Sequence, residues 1–146
     1  MTDAGDGPDP TTAVRERLLA EHGPLFDAVD ACADAVADRW AGDATADRDA
    51  VVPALREALA AAGALDRLPA LLATAADALG VRLPAAPVAA PPYLVVTATG
   101  PVVRATLPAV GRLVVSLDVF AVDRSGETPR YRRVDGDGVA LSVALR

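Results

Sequence analysis

The chain contains no lysine, a single cysteine, a single histidine and few aromatic residues. Because Cys32 has no second cysteine to pair with, an internal disulfide is excluded, and a reducing compartment is favoured. His22 alone cannot build a metal site with several histidine ligands in one chain. Aromatic residues make up 3% of a sequence that is 52% hydrophobic. We therefore expect a closely spaced aliphatic core, with few bulky side chains left to line a deep pocket.

The sequence also lacks the motifs of common enzymes. It has no nucleophile elbow, no Ser-His-Asp order, and no Gly-x-Gly-x-x-Gly or Gly-Lys-Ser/Thr following a strand. Cys32 is expected to be a buried, inert side chain, and His22 to cap helix carbonyls rather than act as a base. The sequence therefore assigns no catalytic residue, no metal ligand and no cofactor. It favours a non-enzymatic protein and leaves an enzyme as the third alternative.

Two acidic patterns are candidate cation sites. Asp27, Asp30, Asp34 and Asp38 recur at helical spacing, which spreads carboxylates along a helix instead of converging them on one ion. A solvated face is therefore favoured over a metal site. The segment Asp135-Gly136-Asp137-Gly138 lacks the third oxygen ligand and the terminal glutamate of a calcium loop. A hairpin turn is the simpler interpretation.

The charged residues are unusual in kind and in distribution. All 14 basic residues are arginine, aspartate dominates the 20 acidic residues, and the net charge is −6. With abundant Ala and Val, this composition resembles that of an uncharacterised protein family of halophilic archaea. A GC-rich bacterial genome gives a similar Arg and Ala bias, but the acidity favours the halophile. Residues 1–92 carry −8 and residues 93–146 carry +2, and the overall charge argues against duplex-DNA binding at ordinary salt.

The hydrophobic repeat divides the chain at Pro92. Residues 1–10 are acidic, contain Gly and Pro, and are predicted to be a disordered tail rather than a signal peptide. Apolar residues spaced by three and four then predict four helices within a helical region, residues 11–82. Residues 83–92 form an Ala/Pro linker. The uncharged run 83–103 contains five prolines, which argues against a transmembrane helix because proline destabilises a helix interior.

After the linker the period changes to two, which predicts a β region, residues 93–146. Strands are expected at 93–99, 102–107, 112–122, 130–134 and 139–146. Tight turns between the first three strands place Leu94, Val103 and Val115 on one apolar face, and a slip of one residue would destroy that agreement. The predicted fold class is α+β, with an N-terminal bundle of about four helices packed on a C-terminal antiparallel β-meander of four to five strands.

The second face of this predicted sheet is the candidate functional surface. The alternation assigns to it Tyr93, Arg104, Arg112 and Phe120, with Tyr131 and Arg133 of the next strand beside them. Arginines mixed with aromatics are enriched in protein interfaces, so the sequence predicts a cytoplasmic protein-interaction module. Its partner is another protein or a second copy of the chain, and no membrane is involved.

Two other interpretations of this face stay open. The alternative function is binding of single-stranded nucleic acid, in which bases stack on the aromatics and phosphates meet arginines. That hypothesis uses Arg104, Arg112, Arg130, Arg132 and Arg133. The simplest interpretation is an ordinary half-polar outer face without a partner.

Overall fold

Helices predominate in residues 10–78, and strands predominate among the described residues after position 93. The computed structural model describes residues 9–134 and 140–146. The helices are α1 (Pro10–Glu21), α2 (Gly23–Ala37), α3 (Val52–Ala61), α4 (Ala64–Arg67) and α5 (Ala70–Ala78). The strands are β1 (Ala44–Thr45), β2 (Leu94–Val96), β3 (Pro101–Leu107), β4 (Gly111–Asp118), β5 (Phe120–Asp123), β6 (Arg130–Arg133) and β7 (Ala140–Leu145). The predicted α+β class is confirmed.

Local chemistry explains where the helices begin and break. The Oδ1 atom of Asp9 accepts a hydrogen bond from the backbone N–H of Thr11 at 2.9 Å, so Asp9 caps α1. The fourth predicted helix is interrupted at Pro69, which separates α4 from α5. Proline causes this break because its ring removes a backbone donor and clashes with the preceding turn.

The helices and strands share one hydrophobic core. The apolar stripe of α2 is buried as its spacing predicts, with Val29 and Ala33 fully inaccessible and Val36 at 3% exposure. Helix α1 packs on β7, α3 on β2, and α5 on β3 and β4. Leucine and valine supply most of this core, in agreement with the aliphatic composition.

The strands form two antiparallel sheets, so the prediction of a single meander is not confirmed. The large sheet has the order β2-β3-β4-β7, and the small sheet has the order β1-β6-β5. Strand β1 comes from the helical half and pairs with β6, with Thr45 opposite Tyr131. Leu94 lies opposite Val103 and Val103 opposite Val115, so these residues share one apolar face as predicted. The first turn differs from the prediction, because β2 ends at Val96 and β3 begins at Pro101 instead of at residues 99 and 102.

A β-bulge separates the two sheets. The backbone N–H groups of Val119 and Phe120 both donate to the carbonyl oxygen of Thr99, at 2.8 and 3.0 Å. Val119 and Phe120 thus lie opposite the single residue Thr99. The extra residue reverses the sheet face to which the side chains after Val119 point. Gly100 allows the close approach, because a Cβ atom there would lie 1.9 Å from the backbone oxygen of Leu117.

No single helix among the described residues is long and apolar enough to cross a membrane. One pair of segments, Arg48–Ala61 and Ala64–Ala78, is long and apolar enough when the two are taken together, and the chain bends by 82° between them.

Candidate functional site

The large sheet has one face covered by helices and one accessible face. Alternate side chains such as Leu94, Val103 and Leu113 are at most 1% exposed beneath the helical layer. The opposite face, which we call the open face, is defined by its alternation and pairing. Its residues are Tyr93, Val95, Val102, Arg104, Thr106, Arg112, Val114, Ser116, Asp118, Ala140, Ser142, Ala144 and Arg146.

The centre of the open face is apolar. Val95 lies opposite Val102, and Val114 lies between Arg104 and Ala144. Val102 and Val114 are diagonal neighbours on adjacent strands. The three valines and Ala144 are all partly accessible, and together they form a patch that spans all four strands. We call these four residues the apolar patch.

Charge is divided between the two ends of the open face. Arg112 and Arg146 exchange two backbone hydrogen bonds of 2.9 Å, so their side chains emerge next to each other. The Nε of Arg104 donates to the carbonyl oxygen of Pro92 at 3.0 Å, which ties the linker to this corner. A shallow pocket of about 190 Å³ lies there, bordered by Tyr93, Arg104 and Arg112. Asp118 lies at the opposite end.

Three of the six predicted site residues are absent from the open face. Phe120 is 1% exposed and packs against Trp40 with ring centroids 5.4 Å apart. Tyr131 is 9% exposed, and Arg133 pairs with Phe120 in the small sheet. Their predicted placement is wrong because the bulge at Val119 reverses the alternation. Tyr93, Arg104 and Arg112 are placed as predicted.

Arg133 joins the small sheet to α2 instead of facing a partner. Its Nε donates to Oδ1 of Asp34 at 3.0 Å, one terminal nitrogen donates to the carbonyl of Val119 at 3.0 Å, and the other to the carbonyl of Asp30 at 3.1 Å. The Asp30 carboxylate is a further partner. Two members of the predicted solvated aspartate series are therefore structural ion-pair partners, which their spacing of four on α2 did not reveal.

The five arginines of the nucleic-acid hypothesis do not share one surface. Arg104 and Arg112 lie on the open face. Arg130 and Arg132 are exposed on the small sheet, opposite Asp123 and Ala121. With Arg133 held by α2, the arginine set is divided between two sheets. Of the three predicted aromatic residues, only Tyr93 lies where a base could reach it.

The histidine and the cysteine both lie at helix contacts. The Nε2 atom of His22 is 2.7 Å from the Thr74 hydroxyl oxygen, so its side chain joins α5 and does not cap carbonyls as predicted. Burial lowers the pKa of His22 below its usual 6.5. Cys32 is 6% exposed, and its thiol donates to the carbonyl of Ala58 at 3.4 Å. Burial raises the pKa of this thiol, which disfavours the reactive thiolate.

Two grooves border α2. One, of about 550 Å³, lies between α2 and α3, and its lining combines five alanines and Trp40 with the charged residues Arg39, Asp49 and Glu57. The other, of about 610 Å³, is lined by acidic residues of α2 and the following loop facing Arg132 and Arg133. Within residues 9–134 and 140–146, no three His, Cys, Asp or Glu side chains are grouped as metal ligands. The turn predicted at residues 135–138 lies outside the described residues.

The chain belongs to the family described as Domain of unknown function (DUF7988), whose family model matches residues 12–146. The match takes in both the helical and the β half. Comparison with curated proteins gave no match, and neither did comparison with solved structures.

Proposed function

We propose that this protein is a non-enzymatic interaction module that binds a protein partner through the open face of the large sheet. The observation that carries this proposal is the apolar patch formed by Val95, Val102, Val114 and Ala144, which the helical layer does not cover. Apolar side chains at the centre of a surface, with charged residues at its margin, are the usual composition of a protein interface.

The charges at the ends of the patch give the proposed interface a direction. Arg112 and Arg146 at one end, with Asp118 at the other, favour a partner surface that carries the opposite order of charges. Such complementarity raises association rates and orients the complex more than it raises affinity. A partner with an acidic margin next to an apolar centre is the chemistry that fits.

The test is a variant that changes the apolar patch while keeping its shape. We expect Val102→Thr with Val114→Thr to weaken binding of a purified partner by about tenfold, because two hydroxyl groups are desolvated in the interface. Ala121→Thr on the accessible side of the small sheet is the matched control. Affinity is measured by calorimetry at high salt. Equal affinity for both variants and the wild type would refute the proposal. Phe120→Ala is unsuitable because it alters the core.

Binding of single-stranded nucleic acid is the second candidate function, favoured by Tyr93 beside Arg104 and Arg112 at one corner of the open face. This hypothesis requires affinity that falls steeply with salt, because phosphate contacts release counterions. Fluorescence anisotropy with oligo(dT) and with single-stranded RNA tests it. Absence of binding at low salt disposes of it.

We also propose that the acidic surface is an adaptation to high salt. Asp27, Asp34 and Asp38 are exposed along α2, and a net charge of −6 disfavours the folded state through self-repulsion. Screening shortens the range of that repulsion to about 3 Å at 1 M salt. The free energy of unfolding should therefore rise with KCl concentration. A flat or falling dependence would contradict this adaptation.

A further inference from the structure

Strand β7 is the edge of the large sheet, and the pairing shows which of its backbone groups point outwards. Arg112 and Arg146 form a hydrogen-bonded pair, in which each backbone N–H donates to the carbonyl of the other residue. Such pairs alternate along an antiparallel ladder, so Ala144 and Ser142 also direct their backbone groups towards β4. The N–H and C=O groups of Leu141, Val143 and Leu145 consequently point away from the sheet. A hydrogen bond of 3.1 Å from Nε of Arg15 to the Leu141 oxygen confirms this direction.

The two edges of the large sheet are protected to different degrees. Strand β2 has three residues, lies next to the Pro-rich linker and is paired at its end with Pro101. Strand β7 has six residues, Ala140–Leu145, with no charge and no proline. Among the described residues, Arg15 of α1 makes the one hydrogen bond to its outward groups. Short strands, prolines, charged side chains and a covering helix are the usual means of preventing edge pairing. Strand β7 itself has none of the first three, and α1, which packs on β7, engages one outward carbonyl through Arg15.

We propose that a second copy of this chain pairs with β7 along this edge, antiparallel and centred on Val143. In that register Val143 faces Val143 of the other copy, and Leu141 faces Leu145. Six backbone hydrogen bonds form between the copies, and two sheets join into one. The arrangement is closed by a two-fold axis, which is the commonest symmetry of homodimers. The proposal does not require the apolar patch to bind a partner.

Charge complementarity supports this register. Asp118 lies opposite Ala140 on the open face, and centring on Val143 places Arg146 of the other copy next to Ala140. Adjacent strands are about 4.8 Å apart, so Arg146 can reach across the small Ala140 side chain to Asp118. The two-fold axis repeats this pair. An uncharged β7 brings no like charges together at the centre.

Helix α1 touches this edge through Arg15 and carries an exposed apolar side chain. Leu19 is 41% exposed and lies one helical turn after Arg15 on the same stripe of α1. The Leu141 oxygen has a second lone pair, which allows it to accept from the added strand while Arg15 remains bound.

The first test separates the outward from the inward backbone groups of β7. Val143→Pro removes an outward N–H, which edge strands tolerate, whereas Ala144→Pro removes an N–H that bonds β4. Sedimentation equilibrium should show a wild-type dimer. Val143→Pro should raise the dissociation constant of the dimer by about tenfold or more, and its circular dichroism spectrum should remain that of the folded protein.

Ala144→Pro should lose the circular dichroism spectrum of the folded protein. A wild type that is monomeric at every concentration reached, or a Val143→Pro dimer of unchanged affinity, overturns the proposal.

A charge exchange tests the register without changing the backbone. Asp118→Arg should weaken the dimer by about fivefold, and adding Arg146→Asp should restore it. No restoration by the double variant would reject the register centred on Val143. The variant Val102→Thr with Val114→Thr should leave dimer affinity unchanged, because these residues lie on the open face and not on the edge. Loss of the dimer in that variant would assign association to the face instead.

Discussion

The two sheets of this protein use similar residues in opposite ways. The large sheet keeps a regular alternation over β3 and β4, so its arginines emerge on an accessible face. The small sheet directs Phe120 and Tyr131 into the core and engages Arg133 with α2. The difference follows from one bulge at Val119 and from a helix packed over one sheet face. An arginine or an aromatic residue in a strand therefore indicates an exposed binding surface only when the sheet face on which it lies is known.

The largest expected effect breaks the packing of the small sheet. Phe120→Ala should lower the free energy of unfolding by about 4 kcal/mol, since a buried aromatic ring is lost and a cavity remains beside Trp40. Chemical denaturation measures this change. Tyr93→Ala, on the open face, is the matched aromatic variant and should cost much less. Equal losses for the two variants would show that the two rings are buried alike.

A smaller effect is expected at the junction between the sheets. Gly100→Ala places a Cβ atom 1.9 Å from the Leu117 oxygen, at a φ of +146°. We expect a loss of about 3 kcal/mol from the backbone shift and the strained φ. Gly42→Ala is the control, because nothing lies within 4 Å of a Cβ atom there. If Gly100→Ala and the control have the same melting temperature, the backbone at the junction of the two sheets accommodates the Cβ atom without loss of stability.

The smallest effect distinguishes the arginines of the two sheets. Arg133→Ala should lower the free energy of unfolding by about 2 kcal/mol, because two carboxylates and two backbone carbonyls lose a charged hydrogen-bond donor. Arg112→Ala on the open face should change stability by less than about 0.5 kcal/mol. Urea unfolding of both variants measures the contrast. Should Arg133→Ala be as stable as Arg112→Ala, the link between α2 and the small sheet contributes nothing.

Sequence periodicity predicted the elements well and the candidate site only in part. The stripe of α2 and the common face of Leu94, Val103 and Val115 follow from local rules, because each face must be apolar to be buried. The fourth predicted helix is divided into α4 and α5 at Pro69. Tyr93, Arg104 and Arg112 were placed correctly, since no irregularity separates them.

Long-range pairing accounts for what sequence reasoning missed. The bulge at Val119 depends on a carbonyl that Thr99 supplies from another hairpin, and nothing near Val119 signals it. The position of β7 beside β4 is likewise a matter of strand order, which brought Ala144 and Arg146 onto the open face. The spacing of Asp30 and Asp34 was visible, but their partner lies about a hundred residues away.

The sequence by itself determined the class of fold, the change from helix to strand near Pro92 and the aliphatic nature of the core. These features depend on the hydrophobic repeat and on proline chemistry, which act over a few residues. Tertiary structure decided that the described strands form two sheets, which aromatics are buried and which strands lie at the edges of the large sheet. Those outcomes depend on contacts between residues far apart in the chain, and short-range patterns do not encode them.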